Sequence, residues 1–134
     1  MSKKIKMFIK EEGEERVMEL LEEDVEKEFE PTLDAETKGV SGFYKTDGHG
    51  HSEKFEPYFN VLTPQQIEIR TRWWGKVTLS IHFFNVTKNH GGPSLSKEGG
   101  VVSLDAGYWR MYFLGSITSY PTASGLISNV VFTS

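Results

Sequence analysis

Apolar and polar positions alternate in short runs along most of this chain, the period-2 signature of strands with one wet face. In residues 3–10, Ile5, Met7 and Ile9 alternate with Lys4, Lys6, Phe8 and Lys10, which predicts a short edge strand whose lysines discourage edge-to-edge pairing. Ile67, Ile69, Thr71 and Trp73 alternate with Glu68, Arg70 and Arg72. After a tight reversal at Trp74-Gly75-Lys76, Val77, Leu79, Ile81 and Phe83 alternate with Thr78, Ser80 and His82. Together these two runs predict a hairpin. Val101–Leu104, Tyr108–Leu114 and Leu126–Phe132 predict three further strands. The second of them sets Trp109, Met111 and Phe113 on one face and Tyr108, Arg110 and Tyr112 on the other. Short strands with Gly-rich turns imply a mainly β fold, an antiparallel β-sandwich. Its expected core is Trp73, Val77, Leu79, Ile81, Phe83, Trp109, Met111, Phe113, Val130 and Phe132.

One segment departs from this period. From Glu14 to Phe29, the residues Met18, Leu21, Val25 and Phe29 form a stripe at helical spacing among glutamates. Acids at its start suit the helix dipole, and Pro31 ends it. The pattern predicts one N-terminal acidic amphipathic α-helix, packed on its own domain or docked on a partner as an assembly helix. Residues 31–52 are polar and contain Gly39, Gly42, Gly48 and Gly50, so they read as a loop or linker with a short strand at Val40–Tyr44. Asn85–Gly100 and Ser116–Gly125 read as loops for the same reason. The expected organisation is a strand and helix over 1–38, a Gly-rich loop over 39–54 and a β-sandwich domain over 55–134.

Charge sharpens that division. The chain of 134 residues carries a net charge of −4. Residues 1–38 hold thirteen acids against seven bases, a net of −6, and the rest hold six acids against eight bases, a net of +2. Neither part is basic enough to expect nucleic acid as a partner. There is no Cys, which excludes disulfides, thiolate metal sites and cysteine nucleophiles. Met1–Lys10 lacks the apolar core of a signal peptide, and no apolar run approaches a membrane span. A cytoplasmic protein is expected, or a virion one if the source is viral, with no membrane partner.

The chemistry on offer is sparse. His49-Gly50-His51 puts two imidazoles on one face of an extended chain, with Asp47 and Glu53 beside them. This makes His49 and His51 candidate metal ligands if His82 or His90 supplies a third; a solvated Gly-rich loop is the plainer expectation, with no metal and no cofactor. Nucleophile elbows, zincin helices, phosphate loops and dinucleotide fingerprints are absent. Paired carboxylates for glycoside chemistry would have to come from Asp47, Glu53, Glu56, Glu68 and Asp105. No catalytic residue is assigned, and no enzyme is expected. Aromatic residues make up 13% of the chain, and they interleave with arginine in Thr71-Arg72-Trp73-Trp74 and in Tyr108-Trp109-Arg110-Met111-Tyr112. Arg70, Arg72, Trp74, Tyr108, Arg110 and Tyr112 are therefore the candidate binding residues, suited to sugar rings or to a protein interface.

Gly107-Tyr108-Trp109-Arg110-Met111-Tyr112, followed after a loop by Gly125-Leu126-Ile127-Ser128-Asn129-Val130-Val131-Phe132, resembles the end of the jelly-roll sandwiches found in carbohydrate-binding modules and in phage tail and capsid-surface proteins. Pro64–Asn85 resembles their central hairpin, and the likeness spans residues 55–134. Where those families usually carry an Asp that supports a structural calcium, this chain has Ser128, so the resemblance implies no calcium site here.

The resemblance implies a jelly-roll fold. With the absence of catalytic motifs, it implies a non-enzymatic structural or binding module: a virion accessory protein such as a capsid decoration or a tail or baseplate component. Such a protein would be a homo-oligomer or part of a larger protein assembly. The alternatives are a lectin-like carbohydrate-binding protein and, behind it, a small metal-dependent β-barrel enzyme built on the histidine pair.

Overall fold

The computed structural model describes residues 4–11, 13–21, 24, 40–117 and 123–132. Eleven strands run through them: β1 (Lys4–Glu11), β2 (Glu14–Leu21), β3 (Val40–Thr46), β4 (Ser52–Phe55), β5 (Tyr58–Val61), β6 (Gln65–Trp74), β7 (Ser80–Asn85), β8 (His90–Ser96), β9 (Gly100–Leu104), β10 (Gly107–Leu114) and β11 (Ser124–Phe132). All pairings are antiparallel. A seven-stranded sheet is ordered β2-β1-β6-β11-β3-β4, with β9 also on β6, and a four-stranded sheet is ordered β5-β10-β7-β8. The two face each other as a sandwich. The succession β3-β11-β6-β9 against β5-β10-β7-β8 is compatible with a jelly-roll-like fold.

Alternation along the strands fills the space between the sheets. Ile67, Ile69 and Trp73 of β6, Leu126 and Val130 of β11, Ile81 and Phe83 of β7, and Trp109, Met111 and Phe113 of β10 form one buried cluster. Of the ten residues expected in the core, nine are buried; Phe132, at the end of β11, is half-buried. Ser128 lies fully buried in the same layer, where its hydroxyl donates to Met111 Sδ at 3.5 Å.

The expected hairpin of residues 67–83 does not form. β6 pairs with β1, β9 and β11, whereas β7 pairs with β10 and β8. Both runs have one apolar face, and those faces meet across the core instead of lying side by side. Gly75 marks the crossing. Its φ of +72° is open to glycine, and a Cβ there would sit 2.5 Å from that of Ser124. The adjacent tryptophans divide accordingly: Trp73 enters the inter-sheet core, and Trp74 joins Met7, Ile9 and Ile127 in a second buried cluster on the outer side of the larger sheet.

The N-terminal segment is the main correction. Among the described residues there is no α-helix: Glu14–Leu21 is strand β2, paired along its whole length with β1. In a strand, residues three apart point to opposite faces, so Met18 and Leu21 cannot share a stripe. Instead Met18 and Leu20, two apart, pack against the second cluster. Pairing with β1 has overridden the local helical preference. Val25 and Phe29, the rest of the expected stripe, lie outside the described residues. Nor is β1 an edge strand, since β2 flanks it on one side and β6 on the other, with Phe8 opposite Trp73 and Lys10 opposite Thr71. The short strand expected at Val40–Tyr44 is present as β3, and the expected loops at 39–54 and 85–100 are otherwise partly strand, with β4 in the first and β8 in the second. Among the described residues no helix is long and apolar enough to cross a membrane.

Candidate binding face

The outward face of the four-stranded sheet is built from the alternate residues of β10. Because Trp109, Met111 and Phe113 are buried, Tyr108, Arg110 and Tyr112 must point out. Their cross-strand neighbours extend the face: Arg110 stands opposite Tyr58 on β5 and Phe84 on β7, and Tyr112 stands opposite His82. Beyond Phe84, β8 presents Gly91, which adds no side chain.

These groups are interlocked. Tyr58 and Tyr108 stack with centroids 5.3 Å apart and planes 12° from parallel. Tyr112 is flanked by the His82 ring at 5.4 Å and by the Arg110 guanidinium at 5.2 Å. Arg110 Nη2 donates to Glu56 Oε1 at 2.6 Å, and the other oxygen of Glu56 accepts the Phe113 N–H at 3.0 Å. Pro57, just before β5, accepts the Met111 N–H, and the Glu56 carboxylate takes over the edge of β10 beyond it, so one acid fixes both the strand and the arginine. Tyr58 and Tyr108 nonetheless remain 48% and 41% exposed.

The other three candidate binding residues lie on the opposite side of the molecule, on the outer face of the larger sheet. Arg70 Nε donates to Glu68 at 2.8 Å, and Arg72 Nη2 donates to Glu11 at 3.4 Å. Trp74 is 2% exposed and offers no surface to a ligand. The sequence pattern therefore named Tyr108, Arg110 and Tyr112 of this face and missed Tyr58, His82, Phe84 and Glu56. The alternation of His82 with Ile81 and Phe83 was the signal for one of them. Tyr58 and Glu56 needed the pairing of β5 with β10.

The loop histidines do not converge with the others. Asp47 closes the turn by accepting the backbone N–H groups of His49 at 2.7 Å and His51 at 3.2 Å, and its second oxygen meets His51 Nδ1 at 2.8 Å. The His49 N–H, foremost, holds Asp47 down at about 2. His82 is on β7 and His90 on β8. Among the described residues no three His, Asp or Glu side chains are placed to hold a metal. Zinc or nickel is expected to leave the melting temperature unchanged, since a ligand of the folded state alone would raise it by mass action. A rise that is lost in the His49→Ala, His51→Ala double variant would restore the metal reading.

One pair has the outline of a nucleophile and base: Ser80 Oγ and His82 Nε2 are 2.7 Å apart. No carboxylate among the described residues meets His82 Nδ1 to orient the ring, as acyl-transfer triads require. The carboxylates considered for glycoside chemistry are engaged separately: Glu53 with Lys45, Glu56 on Arg110, Glu68 on Arg70, Asp47 in its turn and Asp105 with Lys88.

No protein-family model, no curated protein and no solved structure matches the chain.

Proposed function

We propose that the chain is a non-enzymatic binding module that assembles with protein through the outward β5-β10-β7-β8 face, in the setting that its sequence resemblance implies: a virion accessory protein of the capsid-decoration, tail or baseplate kind. The observation that carries this is the pre-stacked, exposed set of Tyr58, Tyr108, Arg110, Tyr112 and His82. Interface centres are enriched in Tyr and Arg and depleted of unpaired charge, and here Arg110 is already paired with Glu56. Rings held by one another also have little rotamer freedom left to lose on docking. The strand succession supports the jelly-roll assignment, with β1, β2 and β4 added to the eight-stranded pattern. Tyr58 and Tyr108 each give one ring face to the other, and Tyr112 is contacted by both His82 and Arg110, which favours protein over the lectin-like alternative, because a sugar ring needs an open aromatic face.

At micromolar concentration the protein is expected to sediment as a symmetric oligomer. A Tyr108→Ser, Tyr112→Ser double variant is expected to fall to monomer mass while still unfolding in one cooperative transition, at a melting temperature lowered by the lost association. A wild-type protein of monomer mass would overturn the reading. Retention on a glycan array, lost in the same variant, would move it to the lectin-like alternative.

A further inference from the structure

At one end of the face, the connection between β9 and β10 is tied to the turn between β7 and β8. Asn85, fully buried, donates from Nδ2 to Asp105 Oδ1 and to the Ala106 carbonyl, both at 3.2 Å, and its Oδ1 accepts the Lys88 N–H at 2.9 Å. Gly107 lies against it: a Cβ there would be 2.6 Å from the Asn85 amide. Lys88 Nζ donates to Asp105 Oδ2 at 3.0 Å, and Trp109 Nε1 donates to the Asp105 carbonyl at 2.9 Å. Tyr108, which begins the binding face, is held from the same turn, since its N–H donates to Thr87 Oγ1 and its carbonyl accepts the Val86 N–H.

His90 completes the tie through both ring nitrogens. Nε2 faces Asp105 Oδ2 at 3.2 Å, and Nδ1 faces the Gly91 carbonyl at 2.7 Å. Both partners only accept, while a neutral imidazole carries one N–H. For both contacts to be hydrogen bonds, both ring nitrogens must carry a proton. We propose that His90, as the imidazolium, clamps the Asp105 turn onto the β7–β8 turn, and that its deprotonation loosens the Tyr108 end of the binding face.

The charged groups acting on His90 are Asp105, which favours the imidazolium, and Lys88, which opposes it. The Gly91 carbonyl and then Asp105 raise the His90 pKa above the ordinary 6.5. Asp105 is held at about 2, first by Lys88, so it remains a carboxylate throughout the range in which His90 titrates. A raised histidine pKa contributes its stabilisation in full below the ordinary value and loses it as pH rises through the folded value. The clamp is thus closed on the acid side and open on the alkaline side.

The consequence for docking rests on the proposed binding face; the titration does not. The test follows the His90 ring and the Trp109 indole N–H by NMR from pH 5 to 9 (roughly the range in which histidines titrate), with Trp109→Phe identifying the indole signal. We expect one shared midpoint above the ordinary histidine value, which falls in Asp105→Asn. The indole and Tyr108 amide signals should lose that pH response in His90→Gln. A His90 midpoint at or below the ordinary value, or an indole signal indifferent to it, would overturn the clamp. Neither readout depends on oligomeric state, so a monomeric protein would defeat the docking reading and leave the clamp to be decided on these signals.

Discussion

Removing residues 1–21 is expected to unfold the sandwich, leaving no folded core behind. β1 supplies Met7 and Ile9, which are 0% and 1% exposed, and burial of such side chains stabilises by about 1.5–3 kcal/mol each. Its loss would also uncover Trp74 and Ile127, their partners in the second cluster, and would leave the edge of β6 away from β11 unpaired at Thr71, Arg72 and Trp73. Phe8 would no longer stack on Trp73 at 5.6 Å. Against a domain stability of about 5–15 kcal/mol, these losses together are enough to abolish folding. Circular dichroism and urea unfolding of the truncated chain measure this directly. A cooperative transition close to that of the full chain would show the β1–β2 hairpin to be a dispensable arm, as an assembly device would be.

The source of the helix expectation lies in the same segment. Glutamates, Met18 and the leucines are good helix formers, and a window of one strand's length carries too few apolar positions to separate period 3.6 from period 2. What distinguishes them here is β1, which faces β2 residue for residue from Lys4 opposite Leu21 to Glu11 opposite Glu14. That pairing is not visible in residues 14–29 taken alone. The faces of β6, β7 and β10 were legible because each has a long alternation with unambiguous residues, such as Trp109-Arg110-Met111-Tyr112-Phe113. Which strands pair was not, because two half-apolar strands satisfy their pattern equally well as sheet neighbours or across a core. The crossing at Gly75 depends on its contact with Ser124, nearly fifty positions away in the chain.

The exposed aromatic face was partly legible for a related reason. Both interleaved segments, Arg70 to Trp74 and Tyr108 to Tyr112, show arginine among aromatics, and pattern alone ranks them together. The difference is what covers them. Trp74 is buried beneath Met7 and Ile9 from a strand sixty residues earlier, whereas Tyr108 keeps an open flank at the end of β10. The Asp105 cluster was less legible still. In the sequence Asn85, Lys88 and His90 fall in a Gly-rich stretch that reads as loop and Asp105 lies beyond it, and only the return of the chain at β10 brings the acid back to the base.

Trp109→Ala is expected to cost about 3–5 kcal/mol, in the range of large aromatic truncations in cores. Trp109 is 1% exposed and sits among the side chains that join the two sheets. Its ring lies under Gly92, where a Cβ would approach to 2.6 Å, so β8 rests on the indole. The indole also anchors the Asp105 carbonyl through Nε1 and meets the edge of His90 at 5.8 Å. Trp109→Phe separates these contributions. It keeps much of the packing and removes the indole hydrogen bond, whose net worth is about 0.5–1.5 kcal/mol, so its loss should be well below that of alanine. The two changes in urea-unfolding free energy, measured at the pH where His90 is protonated, give the comparison. An alanine cost below about 1 kcal/mol would mean that β10 turns its other face inward, because a shift of one residue exchanges core for surface. Tyr108, Arg110 and Tyr112 would then be core residues, and the proposed binding face would fall with them.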